Sequence, residues 1–346
     1  MSDLTTADQR DAVPTTVPAP ASRADRRARL LRDSWTSLVL LALIVAFTVR
    51  SPAFFSRLNW LNTSSAATEV MLLALGETFV IIAGGIDLSV GAVLGLSGMS
   101  GGWVMAELTA AGTGTAATVA AGFVAALAVG LAAGLLNGWL IARHTIPAFV
   151  VTLGTMGVAT GLGDLVANGQ EISAIPAWVG TFGNKDLLGW IPVPVLITAA
   201  LCVAAALALA KTRYGAHTYA LGDNKDAAIR AGIPHQRHLL KVYAVSGLLA
   251  GVDGVLVLSR LGAASPTSGT TDNLNAIAAV VIGGASLFGG RGRMLGSVIG
   301  TLIISVLLTG LIIADVPPYW QEVAVGVVLI AAVYIDQYGE RPRRRR

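Results

Sequence analysis

The sequence contains few charged residues for its length. Asp, Glu, Lys and Arg make up 13% of the 346 residues, apolar residues make up 54%, and the mean hydropathy is +0.69. Soluble domains carry about 25% charged residues, so this composition excludes an ordinary soluble fold. The apolar runs are continuous and do not alternate with polar residues, which excludes a transmembrane β-barrel. The predicted fold class is an all-α polytopic membrane protein.

Residues for enzyme chemistry are also scarce. Cys202 is the single cysteine, which excludes an intrachain disulfide and a cysteine metal cluster. His235 and His238 have helical spacing, but no cysteine or carboxylate partner lies close by in the sequence. The chain has no Gly-Lys dipeptide and therefore no Gly-Lys phosphate-binding loop. We expect no catalytic, cofactor or metal site in this chain and no nucleic-acid partner, and any ATP energy must come from another polypeptide.

Hydropathy divides the chain into three parts. Residues 1–34 are polar, proline-containing and arginine-rich, which predicts a disordered arm. Residues 35–336 form the predicted membrane domain, and residues 337–346 form a basic tail. A span needs about 20 apolar residues, so several of the ten predicted helices are short, tilted or broken. The predicted helices lie near 35–55, 66–84, 88–108, 115–141, 147–167, 192–210, 239–259, 273–288, 294–314 and 319–336.

The positive charges predict the orientation of the chain. With ten spans and the N-terminus inside, 20 of the 24 Lys and Arg residues fall in the inner segments. Inner segments of membrane proteins are enriched in Lys and Arg, so this distribution favours both termini inside. The long polar segment Lys211–Lys241 is then cytoplasmic.

The segment Lys211–Lys241 contains the pattern of a short, capped helix. Asp223 and Asn224 are residues that cap a helix start, and Lys225 to Ala231 are good helix formers. Gly232 predicts the helix end, and a proline follows. A short helix with a small-residue face on the polar side of a membrane protein indicates a docking site for a partner.

Two glycine-interrupted segments are similar to each other. Val80–Gly85 (VIIAGG) resembles Val280–Gly284 (VVIGG), with Gly84 aligned on Gly283, which indicates a weak internal duplication in parallel orientation. Such paired interruptions are typical of a transport path, although glycine pairs also simply permit close helix packing. Asp87 has the same two interpretations, as a path residue or as a helix cap. The candidate path residues are Gly84, Gly85, Asp87, Ser89, Asn137, Asn275, Gly283 and Gly284.

Three ordered motifs resemble the ribose-type permeases of bacterial ATP-binding-cassette (ABC) importers. The first is Gly84–Gly91 (GGIDLSVG), and the second is Asp272–Gly290 (DNLNAIAAVVIGGASLFGG) with the following GRGRMLGSVIG. The third, within Tyr219–Ile233, is similar to the loop of that family that faces the ATPase, although Asp223 stands where the family often has a small residue. The similarity covers about residues 38 to 336.

The resemblance implies a non-catalytic subunit in the inner membrane of a bacterium, embedded in lipid. It implies three partners: a cytoplasmic ATPase that binds ATP and Mg, an extracytoplasmic sugar-binding protein, and a second permease copy. The alternatives are an ABC permease for branched-chain amino acids and an ion-coupled secondary transporter, the latter suggested by Glu77, Asp87 and Asp253. The residues expected to contact the ATPase are Gly222, Asp223, Asn224, Ala227, Ala228, Arg230, Ala231 and Gly232.

Overall fold

The computed structural model describes residues 23–340, with side chains for residues 35–334. It divides the chain into two units, Met1–Trp35 and Thr36–Arg346, and the described part of the first is helical from Arg23. The helices are α1 (Arg23–Arg50), α2 (Arg57–Ile82), α3 (Val90–Ala110), α4 (Thr115–His144), α5 (Ala148–Val166), α6 (Ala177–Gly183), α7 (Val193–Lys211), α8 (Arg213–Asp223), α9 (Lys225–Arg230), α10 (His235–Leu261), α11 (Asp272–Ile282), α12 (Met294–Ile313) and α13 (Pro318–Glu340).

The predicted fold class is confirmed, since the described chain is a bundle of apolar helices. Among the described residues, six helices are long and apolar enough to cross a membrane: α2, α4, α5, α7, α10 and α12. Shorter apolar helical segments occur at Trp35–Arg50, Asp272–Ile282 and Pro318–Tyr334. The chain is a multi-pass membrane protein, while ten spans and inside termini stay predictions.

Several predicted helices are wrong in extent; the helix predicted near 66–84, for example, begins at Arg57. The sequence predicts a helix near 273–288, but α11 ends at Ile282 because Gly283 caps it and Gly284 adopts a left-handed φ of 88°. The predicted arm 1–34 lies outside the described residues as far as residue 22, and α1 begins at Arg23. The predicted tail 337–346 lies outside them from residue 341.

Helices α2 and α10 form the centre of the bundle, since most of their residues are buried. Helix α10 packs closely on α4 through small residues, because a methyl group at Gly130 would lie only 2.7 Å from the Cα atom of Gly251. A methyl group at Gly247 would lie 2.7 Å from the Cα atom of Gly134. Glycines spaced four residues apart on both helices let the two backbones approach, as is usual for helix pairs in membranes.

The segment between α10 and α11 runs back into the bundle. The Cβ of an alanine at Gly95 of α3 would lie 2.7 Å from the carbonyl oxygen of Ser268, and one at Gly91 would overlap the carbonyl of Gly269. Irregular backbone at this position is tolerated because it is packed against protein. This return brings the start of α11 beside the start of α3.

The connection between α5 and α7 contains a small folded cap. It holds α6 and a two-stranded antiparallel hairpin, β1 (Asp186–Leu187) and β2 (Ile191–Pro192). Arg57 at the start of α2 donates a hydrogen bond of 2.6 Å to the carbonyl of Gly189 and forms an ion pair of 3.1 Å with Asp186. The hairpin is therefore fixed to the end of α2.

Candidate functional site

The predicted short helix is present as α9. The Asn224 side chain accepts a hydrogen bond of 2.9 Å from the backbone N–H of Ala227, so Asn224 is the N-cap and Asp223 is the last residue of α8. Gly232 follows with a φ of 84°, and the N–H of Ile233 bonds to the carbonyl of Ala228 at 3.1 Å. This is the glycine-terminated C-cap that the sequence predicts.

Helix α9 exposes most of its surface. Among the candidate ATPase-contacting residues, Ala228 is buried, whereas Ala227, Arg230 and Ala231 are exposed. Ile229 adds an apolar side chain that is 39% exposed. The free face of α9 is therefore small and mixed in polarity.

Gly222 has a different environment from the residues of α9. It lies in α8 and contacts the carbonyl oxygen of Ile82 at the end of α2, where no side chain would fit. A methyl group at Gly289 would lie 2.9 Å from the Cα of Gly84 and 3.1 Å from the Cα of Gly222. Three segments therefore meet here: α8, the turn after α2 and the loop before α12. We call this meeting point the glycine contact; it comprises Gly84, Gly222, Gly289 and Gly290.

The similarity between the two glycine segments is also a structural one. The N–H of Gly84 bonds to the carbonyl of Ile81, and the N–H of Gly284 bonds to the carbonyl of Val281, both at 2.9 Å. Gly84 and Gly284 have φ values of 86° and 88°. The structure thus aligns Gly84 with Gly284, one position further than the alignment on Gly283 that the sequence suggested. The two turns have different surroundings, since Gly84 lies in the glycine contact and a side chain at Gly284 would meet open space.

Asp87 is the centre of a buried hydrogen-bond network. Its Oδ1 accepts bonds from the backbone N–H of Ser89 at 3.0 Å and from the hydroxyl of Ser89 at 2.5 Å, and its Oδ2 accepts from Ser246 at 3.4 Å. The Asn137 amide donates to the Ser89 hydroxyl at 2.9 Å, and the Thr155 hydroxyl donates to Asn137 at 2.6 Å. The network joins the start of α3 to α4, α5 and α10. Asp87, Ser89 and Asn137, three of the candidate path residues, thus lie together.

The remaining candidate path residues lie apart from this network. Asn275 is buried and donates to Asp272 at 3.4 Å within the first turn of α11. Gly283 packs against the backbone of Gly296 in α12, where a side chain would overlap it. Gly85 packs against the hydroxyl of Tyr243 in α10.

A cleft of about 170 Å³ lies between α3, α5 and the segment before α11. Its walls include Leu96, Met156 and the polar side chains of Thr160, Ser268, Thr270 and Asn273. Hydroxyl and amide groups on an apolar wall can bind an uncharged polar solute. None of the eight candidate path residues lines this cleft.

Asn273 joins the cleft to the Asp87 network. Its amide donates a hydrogen bond of 3.2 Å to the carbonyl of Leu88, the residue after Asp87. Sequence reasoning selected Asn275 and missed Asn273, Thr160 and Ser268. The Ser- and Thr-rich run Ser265–Thr271 between two apolar helices was the available signal.

One acidic residue of the membrane region has a partner that the sequence did not suggest. Glu69 of α2 forms an ion pair with Arg260 at the end of α10. The pair ties the two central helices together at the end of the bundle opposite α9.

The chain matches known proteins over most of its length. Residues 59–333 match the family described as branched-chain amino acid transport system / permease component. The ribose import permease protein RbsC of Escherichia coli K12 is 36% identical over 314 residues, which cover 88% of this chain and 94% of that protein. The D-allose transport system permease protein AlsC of the same strain is 37% identical over 310 residues, covering 89% and 93%.

The similarity extends to other bacteria. The ribose import permease of Bacillus subtilis strain 168 is 38% identical over 302 residues, which cover 87% of this chain and 91% of that protein. No solved structure matches the chain significantly.

Proposed function

The chain belongs to the permease-component family of branched-chain amino acid transport systems, and from this premise we propose that it is the membrane-spanning subunit of an ABC importer for a simple sugar. The observation that carries the proposal is the similarity, over nearly the full length of both chains, to permeases named for ribose and allose. The membrane is the inner membrane of a bacterium. The chain spans it about ten times with both termini inside.

The ATPase binds at α9. A capped six-residue helix that exposes its surface and carries the exposed basic residues Lys225 and Arg230 is suited to sit in a groove of a cytoplasmic protein. ATP and Mg belong to that partner, and this subunit hydrolyses nothing itself. Closure of two ATPases moves the helices and switches the path from one side of the membrane to the other.

The cleft between α3 and α5 holds the sugar during transfer. The side chains that support this role are neutral, namely Thr160, Ser268, Thr270 and Asn273. Sugar hydroxyls both donate and accept hydrogen bonds, and hydroxyl and amide groups match both needs. A sugar-binding protein delivers the solute at the end of the bundle that carries the β1–β2 hairpin.

A second permease copy packs against α5. Side chains placed at Gly154, Gly157 and Gly161 would meet open space, so this helix has an exposed groove of small residues. Such grooves allow two helix backbones to approach closely in a membrane. Thr160 lies on the same exposed side and also lines the cleft, so the second copy closes the cleft from outside.

Reconstitution with the ATPase and the binding protein tests the function. Vesicles that hold the unmodified permease should accumulate labelled ribose, allose or xylose when ATP is supplied, and leucine should not compete. The double charge reversal Asp226→Arg with Arg230→Asp should insert normally but lose both uptake and ATPase stimulation. Lys185→Glu, at an exposed site outside α9, is the matched control for insertion and should keep normal binding of the ATPase subunit.

The same assay separates the alternatives. Leucine uptake in place of sugar uptake would indicate an amino acid permease. Uptake that survives the α9 charge reversal but collapses when the proton gradient is dissipated would indicate an ion-coupled secondary transporter.

A further inference from the structure

The glycine contact lies between α9 and the transport path. Helix α8 ends at Asp223, directly before the cap of α9, so any displacement of α9 reaches α8 first. Gly222 is the penultimate residue of α8 and touches the last carbonyl of α2. The order of contacts is therefore α9, α8 and then the end of α2.

The end of α2 is capped by a remote segment. The backbone N–H of Gly290 donates a hydrogen bond of 2.9 Å to the carbonyl oxygen of Ile82. The last carbonyls of a helix have no partner within the helix, so this bond supplies one that would otherwise be water. The α11–α12 connection and the end of α2 are thus joined by backbone atoms.

Tyr219 joins the same connection to α8. Its hydroxyl donates a hydrogen bond of 2.7 Å to the carbonyl of Gly292. Burial raises the pKa of Tyr219 above its usual value of 10, against the opposing charge of Arg293. The hydroxyl is consequently protonated at neutral pH and able to donate.

The packing around these bonds is tight at Gly222, Gly289 and Gly290. A methyl group at Gly290 would lie 2.8 Å from the Cα of Asp223, and one at Gly222 would lie 2.5 Å from the N atom of Gly290. Backbone atoms in contact cannot shift past one another without breaking the hydrogen bonds. Segments packed this closely have little room to move independently and can transmit strain to one another.

We propose that Tyr219 and the glycine contact transmit the movement of α9 to the turn after α2 and to the loop before α12 at the same time. Their role here is positioning: Gly222, which the sequence also predicts to face the ATPase, packs on Ile82 and Gly290, and Tyr219 bonds to Gly292. Asp87 and Ser89 follow the α2 turn by five residues or fewer, so movement of this turn moves the Asp87 network. Movement of the α11–α12 loop moves the second glycine turn, at Gly284. The inference rests on the proposed function, because an ATPase must bind α9 and displace it.

Two variants weaken the contact to different degrees. Tyr219→Phe removes only the hydrogen bond to Gly292, and Gly222→Ala forces the end of α2 away from α8. Tyr214→Phe is the matched control, because it removes a tyrosine hydroxyl from the same helix that has no hydrogen-bond partner among the described residues. Gly326→Ala is the control for Gly222→Ala, since its added methyl meets open space.

The transport arm measures the sugar molecules moved per ATP hydrolysed in vesicles. Tyr219→Phe should lower this ratio about fivefold, the value of one ordinary hydrogen bond. Gly222→Ala should lower it further, and Tyr219→Phe should bind the ATPase subunit as tightly as the unmodified protein. An unchanged ratio in both variants would overturn the proposal, as would a loss of ATPase binding that accounts for the whole defect.

The exchange arm needs no solute. Docking of the ATPase subunit should change hydrogen exchange of backbone amides at 82–90 and 284–293 together in the unmodified permease. In Tyr219→Phe and Gly222→Ala, docking should change amide exchange in α8 but not at 82–90 or 284–293. In Tyr214→Phe, exchange should change at both segments, as in the unmodified permease. If the unmodified permease moves no sugar, the proposed function fails and this arm still decides the inference; changes that reach both segments in Gly222→Ala would overturn it.

Discussion

The side-chain amide of Asn273 donates a hydrogen bond to the backbone carbonyl of Leu88, 3.2 Å away, although one residue belongs to α11 and the other precedes α3. Both helices begin in the interior of the bundle, and Asn273 links their starts. It also lines the cleft proposed for the sugar. Asn273 therefore has a structural contact on one side and a solute contact on the other.

Replacing Asn273 by Ala should reduce sugar uptake by about tenfold, because it removes a hydrogen-bond donor from the cleft and frees the carbonyl of Leu88. The measurement is initial uptake as a function of sugar concentration in vesicles. Asn62→Ala, at an exposed position of α2, should transport normally. Normal uptake by the Asn273 variant would remove the cleft from consideration as the sugar site.

The Asp87 network predicts a difference between two substitutions of the same residue. In Asp87→Leu, the hydroxyls of Ser89 and Ser246 and the N–H of Ser89 lose their acceptor in a buried site, at a cost of about 1–3 kcal/mol for each unsatisfied group. Asp87→Asn keeps one amide oxygen as an acceptor and should be less destabilised. Thermal unfolding in detergent measures the difference, and equal stability of the two variants would contradict the network.

The N-cap of α9 should contribute to the affinity of the permease for the ATPase subunit. Asn224→Ala should cost about 1 kcal/mol of α9 stability and weaken ATPase binding about fivefold, since the helix must be formed to dock. Asn224→Ser restores a capping oxygen and should restore most of the affinity. Binding of the purified ATPase subunit to permease in nanodiscs provides the measurement. If neither substitution changes the affinity, α9 is not the docking helix.

The ion pair between Glu69 and Arg260 stabilises the junction of α2 with α10. Arg260→Ala leaves the mostly buried Glu69 carboxylate without its cation and should destabilise the protein by roughly 2 kcal/mol, less than for a fully enclosed pair. The double variant with Glu69→Gln should recover part of that loss, because no unpaired charge remains. A double variant less stable than Arg260→Ala would show that the two side chains act independently.

The exposed glycines of α5 predict a position that tolerates no large side chain once two copies assemble. Gly157→Leu should leave the monomer folded, because the added side chain meets open space, and should abolish the dimer. Gly326→Leu, at an equally open site on α13, is the control and should dimerise normally. Light scattering in detergent gives the oligomeric state, and a dimer that survives Gly157→Leu would place the second copy on another face.

Local signals in the sequence were sufficient for several features. The pattern of Asn224 followed by helix formers and Gly232 predicted α9, because capping and glycine termination depend on neighbouring residues only. The repeated glycine turns were visible for the same reason. The sequence could not reveal that Gly84 packs on Gly222 while Gly284 faces open space, because tertiary contacts decide that difference.

The features that were missed depend on contacts between distant residues. The end of α11 at Ile282 was missed because apolar residues continue through Ala285 and Leu287, so hydropathy does not mark the left-handed Gly284. Asn273 and Asn275 are two residues apart and have the same chemistry. Only the return of the preceding segment into the bundle brings Asn273 to the cleft.

The central place of α2 has a consequence for how the protein is made. Glu69, Glu77 and the Asp87 that follows α2 are enclosed by helices α10, α11 and α12, which lie far downstream in the chain. While the ribosome is still adding residues before His235, Glu69 lacks Arg260 and Asp87 lacks Ser246, although Ser89 and Asn137 have already been made. The packing around α2 is therefore completed only when the C-terminal half has been inserted. Truncation before α10 should yield a chain that is degraded and not a stable half-protein.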